Sequence, residues 1–193
     1  MSDAALTTLP RLSALPTLPA AQRARILDLL FEPSTALHTL ALPLLSPSSA
    51  TTFAPASPLA HASFPSYAAL VAAVGRELAA LAESPSTSDT EWLHTILASH
   101  PRLGEERVES VLSRMEQGAM EEASKGGEGG GDGGEGREEL ARLNREYEEK
   151  FPGLRYVVFV DGRSRQVIME DMRRRIERGD VKAERLEAIQ VGL

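Results

Sequence analysis

The chain has 193 residues, of which 42% are hydrophobic and 25% charged, an ordinary globular composition and long enough to bury a sizeable core within one domain. A formal net charge of -7 argues against nucleic acid or an anionic membrane as the main partner, since such partners call for a clustered excess of Lys and Arg. The absence of Cys excludes a disulfide framework, a thiolate nucleophile and a Cys-based zinc site.

At the N-terminus, Pro10, Arg11, Pro16 and Pro19 interrupt any apolar run of signal-peptide type, and no stretch is long enough to span a bilayer. The expectation is a soluble intracellular protein. Ala20 to Phe31 reads as a helix with Ile26, Leu29 and Leu30 inward, and Pro33-Ser34 suits the start of a second helix running to about Leu45. Ser46 to Pro65 reads as a flexible loop of Pro, Ser, Thr and Ala, with His61 solvated in it. Tyr67 to Ala82 is the next predicted helix, with Leu70, Val71, Val74, Leu78 and Leu81 as its stripe. Ser88 or Asp89 can cap the helix that follows.

That helix carries the first chemistry. Leu93, Ile96, Leu97 and His100 follow one another at helical spacing, so His100 is expected to face inward. Pro101 disfavours the α conformation at the residue before it, which puts His100 in the last turn, where the negative dipole end favours a protonated imidazole. The next helix is expected to begin near Glu105 and Glu106, with Val108, Val111, Leu112 and Met115 as its apolar stripe. Ser113, Glu116 and Gln117 stand at i, i+3 and i+4 on it, so a carboxylate and a carboxamide border the stripe side by side.

Lys125 to Gly136 is dense in glycine and reads as a flexible insertion, because it has too little apolar surface to offset its ordering entropy. A phosphate-binding loop does not fit, since no strand precedes it and no Gly-Lys-Ser/Thr ends it. Leu140, Leu143, Asn144 and Tyr147 share one helical face leading to Phe151, and Pro152-Gly153 stops that helix. Tyr156-Val157-Val158-Phe159-Val160 is a strand-type run standing nearly alone, best read as a buried extended segment. Asp161-Gly162 makes a turn, and Arg163 to Arg178 reads as a helix ended by Gly179, with Ile168, Met172 and Ile176 as its stripe. Arg175 falls on the same side. A core-facing guanidinium needs an anion, either a protein carboxylate or a ligand, and the spacing leaves both open. The run Arg173-Arg174-Arg175 is too short to reverse the acidic balance. The resulting expectation is an all-α, single-domain helical bundle of about seven to eight helices with one short extended segment near 156–160.

His100-Pro101-x-Leu103-Gly104, Ser113-x-x-Glu116-Gln117, Leu143-Asn144-x-x-Tyr147, Lys150-Phe151 and Arg175-Ile176 follow in an order that resembles the 2-oxo-4-hydroxy-4-carboxy-5-ureidoimidazoline (OHCU) decarboxylases of urate degradation, closest to their fungal branch. The resemblance runs from about Leu29 to Ile189 and is strong from Trp92 onward. Each motif alone is weak; five in order are specific. The glycine-dense tract departs from the family pattern.

The resemblance implies decarboxylation of the ureidoimidazoline acid to (S)-allantoin without pyridoxal, thiamine, metal or other cofactor, because the substrate ring itself delocalises the carbanion. It implies His100 as proton donor, Glu116 as the group orienting His100 or the substrate, Gln117 as a hydrogen-bond partner of the ring or ureido amide, and Arg175 as the residue that holds the anion. It also carries substrate binding onto Pro101, Ser113, Arg114 and Met115, and onto Tyr156, Val157, Val158, Phe159 and Val160, whose backbone lines the site. A homodimer is implied as well. The compartment is peroxisome or cytoplasm, since the terminal Gln190-Val191-Gly192-Leu193 is no Ser-Lys-Leu-type address. His94 and His100 are not at ligand spacing on one helix face, which disfavours a metal site. A non-catalytic helical interaction protein that keeps the family core is the other class of reading, and an activity assay separates the two.

Overall fold

The computed structural model describes residues 8–46, 64–105, 111–125 and 133–192. Within them the chain is all-α: eight α-helices and two short 3₁₀ helices, with no strand among the described residues. None of these helices is long and apolar enough to cross a membrane. The chain divides into two compact units, the first running to Ala80 and the second from Leu81 to Gly192.

In the first unit, α1 (Ala20–Leu30) buries Ile26 and Leu27. Leu29, expected inward, is 37% exposed; the buried stripe runs through Leu27, two residues earlier. Helix α2 (Thr35–Ala41) starts where Ser34 was expected to cap it, the Ser34 hydroxyl accepting from the Leu37 N–H at 3.3 Å. Such a cap contributes about 1 kcal/mol. Pro43 then allows only a 3₁₀ helix, Leu42–Leu45, whose Leu44 and Leu45 are buried. Helix α3 (Tyr67–Glu83) buries Leu70, Ala73, Val74, Gly75 and Leu78. The expected Ser46 to Pro65 loop, with His61, lies almost wholly outside the described residues.

The second unit carries every residue singled out for chemistry. Helix α4 (Thr87–Leu97) is capped by Ser86 rather than by Ser88 or Asp89: the Ser86 hydroxyl accepts from the Asp89 N–H at 3.3 Å, while the Asp89 carboxylate takes the Ser84 hydroxyl at 2.5 Å. Leu93, Ile96 and Leu97 are buried as their spacing requires. Helix α5 (Val111–Lys125) departs from expectation. Met115 is 70% exposed, and Met120 is buried. The expected stripe through Val108 depended partly on residues 106–110, outside the described ones.

Helix α6 (Gly133–Lys150) begins inside the glycine-dense tract, so the expected insertion is helical from Gly133, and residues 126–132 lie outside the described part. Its face of Leu140, Leu143, Asn144 and Tyr147 is buried, with Phe151 just beyond. Leu140, Leu143 and Phe151 each contribute roughly 1.5–3 kcal/mol by burial. Tyr147 packs on Phe151 and edge-on against Tyr156, with ring centroids 4.9 Å and 5.5 Å apart. Gly153, at φ 84°, turns the chain into the extended segment, which pairs with no other strand among the described residues. Asp161 and Gly162, both at positive φ, make the predicted turn. Arg163 fastens it through its N–H and its Nε, both donating to the Val160 carbonyl. Helix α7 (Arg165–Arg178) follows, packs against α5 and α6, and ends on Gly179 in the left-handed region at φ 64°. Asp180 caps α8 (Val181–Val191), its carboxylate accepting from the N–H groups of Lys182 and Ala183.

Candidate active site

His100 does not lie in the last turn of its helix. Helix α4 ends at Leu97, and His100 belongs to the turn after it, its N–H donating to the Leu97 carbonyl at 3.3 Å. Ser99 closes the helix instead, with its hydroxyl on the Ile96 carbonyl at 2.6 Å. The imidazole is half-buried and meets another helix terminus, that of α8: an ideal Cβ on Gly192 would lie 3.0 Å from Nε2.

The segment from His100 to Glu105 is held from several sides. Arg155, in the extended segment, donates from Nη1 to the His100 carbonyl at 2.7 Å. Gln117, on α5, donates from Nε2 to the Arg102 carbonyl at 3.4 Å. Buried Asn144, on α6, donates from Nδ2 to the Leu103 carbonyl at 3.0 Å. Arg102 forms a two-pronged pair with Glu148, Nε to Oε1 at 2.6 Å and Nη2 to Oε2 at 2.8 Å. This partner draws the Glu148 carboxyl below its ordinary range, the Arg102 hydrogen bonds outweighing the opposing effect of burial. Glu105 closes the turn on itself, accepting from the Arg102 backbone and guanidinium at 3.3 Å each, and the expected helix start at Glu106 lies outside the described residues. Gly104, at φ 88°, supplies the left-handed step, and a Cβ there would come 2.9 Å from Leu140.

Among the described side chains of α5, several of the inward ones are polar. Ser113, Glu116 and Gln117 are half-buried, followed by Met120 and by Ser124, whose hydroxyl accepts from the Arg165 N–H at 3.0 Å. The structure therefore brings the Glu116-Gln117 face beside the turn of His100, through Gln117. Arg114 and Met115 are exposed, because they point away from that face. Pro101 is half-buried next to His100.

Arg175 is 4% exposed, and its partner is a carboxylate that the sequence reading did not single out. Its Nε donates to Oε2 of Glu184 at 2.8 Å, and its Nη1 donates to the Val157 carbonyl at 3.1 Å. Nη2 lies 2.7 Å from the same Glu184 oxygen, and Nε also lies 3.2 Å from Oε2 of Glu187. The guanidinium stands over the Tyr156 ring at 4.7 Å and the Tyr147 ring at 5.9 Å. Tyr147 donates to Glu184 at 2.6 Å, and Tyr156 to Asp171 at 2.6 Å. Burial, reinforced by these acceptors, pushes both phenols well above their ordinary value. Burial would raise Glu184 too, but the hydrogen bonds from Arg175 and Tyr147 outweigh it and hold the carboxyl below the usual range.

The extended segment connects the two ends of the site. Arg155 ties it to His100, and the Val157 carbonyl ties it to Arg175. Tyr156, Val157 and Val160 are buried and Val158 is half-buried, whereas Phe159 is 55% exposed. The basic run is spread over several carboxylates: Arg173 reaches Glu139, Arg174 reaches Asp171, and Arg175 reaches Glu184, with Asp171 at 3.9 Å.

Sequence reasoning missed Glu184, although a signal for it exists. Arg175 and Glu184 each stand four residues from the helix boundary formed by Gly179 and Asp180, one on either side of the turn. Arg185 was missed as well. Its Nε donates to His94 Nε2 at 3.0 Å, and burial, then the positive charge of Arg185, lowers the His94 proton affinity.

The sequence profile of the OHCU decarboxylase family matches residues 16–191, and the chain belongs to that family. No curated protein matches the chain.

Proposed function

We propose that the protein converts 2-oxo-4-hydroxy-4-carboxy-5-ureidoimidazoline to (S)-allantoin and carbon dioxide. The bond between the ring carbon and the carboxylate breaks, and its electron pair passes into the adjacent imine, whose nitrogen takes up a proton. The carbon bearing the ureido group then takes up a proton while the neighbouring hydroxyl gives one up and becomes the ring carbonyl. The net change is loss of carbon dioxide and gain of one proton. Because the ring accepts the electrons, the protein has only to orient, polarise and protonate.

His100 is the proton donor in this reading, acting on one face of the ring and so setting the product's handedness. Glu116 orients the imidazole or the substrate, and Gln117 takes the ring or ureido amide with its carbonyl oxygen while its amide nitrogen rests on the Arg102 backbone. Arg175 positions the acid. The observation behind this role is its buried guanidinium, which Glu184 and the Val157 carbonyl hold against the same extended segment that reaches His100 through Arg155. The grip has to be modest, because a carboxylate held too firmly in the ground state resists leaving. Glu184 supplies that moderation by drawing off part of the guanidinium's charge.

The reading also includes a homodimer in the peroxisome or cytoplasm, with the small-molecule substrate as the partner that matters. Its test is a coupled assay from urate, with urate oxidase and hydroxyisourate hydrolase, followed by circular dichroism. Faster appearance of (S)-allantoin than in the spontaneous decay is expected. A racemic product at the spontaneous rate sinks the reading and leaves a non-catalytic helical protein.

A further inference from the structure

Four glycines of the described residues have positive φ: Gly104, Gly153, Gly162 and Gly179. Gly192 differs. It closes α8 at φ -77° and ψ 2°, a conformation that residues with side chains also adopt. The backbone therefore does not demand a glycine there, and the surroundings do. An ideal Cβ at this position lies 3.0 Å from His100 Nε2, 3.3 Å from His100 Cε1 and 3.1 Å from the Ala188 carbonyl oxygen. Carbon contacts of lowest energy fall at roughly 3.5–4.0 Å, so a methyl group and the ring cannot both keep these places.

Helix α8 is poorly able to yield. Glu184 anchors it to Arg175 and Tyr147, Arg185 anchors it to His94, and Ala188 and Ile189 are buried. The imidazole, half-buried and attached to a turn, is the softer partner.

We propose that Gly192 is a positioning residue for the decarboxylation: its missing side chain gives the His100 imidazole its seat, and any side chain there displaces Nε2. This rests on the reading of His100 as proton donor. The same helix thus holds Arg175 through Glu184 and bounds His100 through Gly192, so the two groups assigned to anion and proton are referred to one rigid element.

The experiment compares wild type, Gly192→Ala and Gly118→Ala by steady-state kinetics, thermal denaturation and the NMR signal of the His100 Cε1 proton. Gly118 is the control because a Cβ there meets nothing within 4 Å. In Gly192→Ala the His100 signal moves and kcat falls by about tenfold with KM unchanged, less than the roughly hundredfold loss of a 1 Å displacement because the ring has to give by only a few tenths of an ångström. Gly118→Ala changes neither. Wild-type kcat in Gly192→Ala overturns the proposal, as does a fall in kcat with the His100 signal unmoved. If Gly192→Ala folds poorly, the same substitution is made in His100→Ala, where the crowding by the ring is gone and only that by the Ala188 carbonyl remains: partly restored stability is expected, and an undiminished defect overturns the seat. A wild-type protein without stereospecific turnover refutes the decarboxylase reading instead, and the NMR comparison then decides the seat alone.

Discussion

Arg175 and Glu184 meet in a buried ion pair, the guanidinium Nε donating to the carboxylate at 2.8 Å with the two residues 4% and 0% exposed. Tyr147 adds a second hydrogen bond to the same oxygen. Removing Glu184 leaves the guanidinium with Glu187 at 3.2 Å and Asp171 at 3.9 Å and leaves the Tyr147 hydroxyl without its acceptor, and breaking a buried pair in this way costs about 3–5 kcal/mol. Glu184→Ala is therefore expected to lower the unfolding free energy by that order in urea titrations. A loss under about 1 kcal/mol, the range of exposed pairs, contradicts this account.

His100→Ala is expected to abolish stereospecific turnover with the fold intact. The turn keeps its shape because Arg155 and Gln117 bind backbone carbonyls, at His100 and Arg102, and not the imidazole. Circular dichroism and the coupled assay on the same preparation check both halves. Residual turnover near wild type removes His100 from the mechanism.

Asn144→Ala leaves the Leu103 carbonyl, now served at 3.0 Å in a buried setting, without its donor. The expected cost is about 1–3 kcal/mol, the desolvation penalty of one buried polar group. Because Leu103 lies in the turn of His100, kcat falls as well. Equilibrium unfolding and kinetics measure the two effects; a stable, slow variant shows that Asn144 serves the turn alone.

His94 makes stability depend on pH. Its folded-state proton affinity lies below the ordinary 6.5, through burial first and Arg185 second. Between that folded value and 6.5 the unfolded chain binds more protons, so stability falls as pH drops through this window and levels off below it. His94→Gln keeps an acceptor for Arg185 but cannot titrate. Urea midpoints at several pH values between neutral and mildly acidic should show a shallower loss in the variant. An identical slope in both proteins assigns the effect elsewhere.

Helical periodicity by itself determined much of this protein. The buried face of α6, the stripe of α7 with Arg175 on it and the stop at Gly179 all follow from spacing along one helix, where neighbours are set by 3.6 residues per turn. The same arithmetic failed at Met115, since an apolar residue at helical spacing is compatible with either face and only packing selects Met120. It also misplaced His100, because a proline signals where a helix must have ended and not how many residues earlier it did.

The need of Arg175 for an anion was legible, and the identity of that anion was not. A core-facing charge announces its cost in the sequence, whereas Glu184 on α8 resembles any solvated helix carboxylate until the turn at Gly179 brings it back. The hold of Arg155 on His100, 55 residues away, and the vacant Cβ position of Gly192 beside the imidazole depend on contacts between distant segments. Periodicity specifies which face of a helix turns inward; only the tertiary structure decides what that face meets.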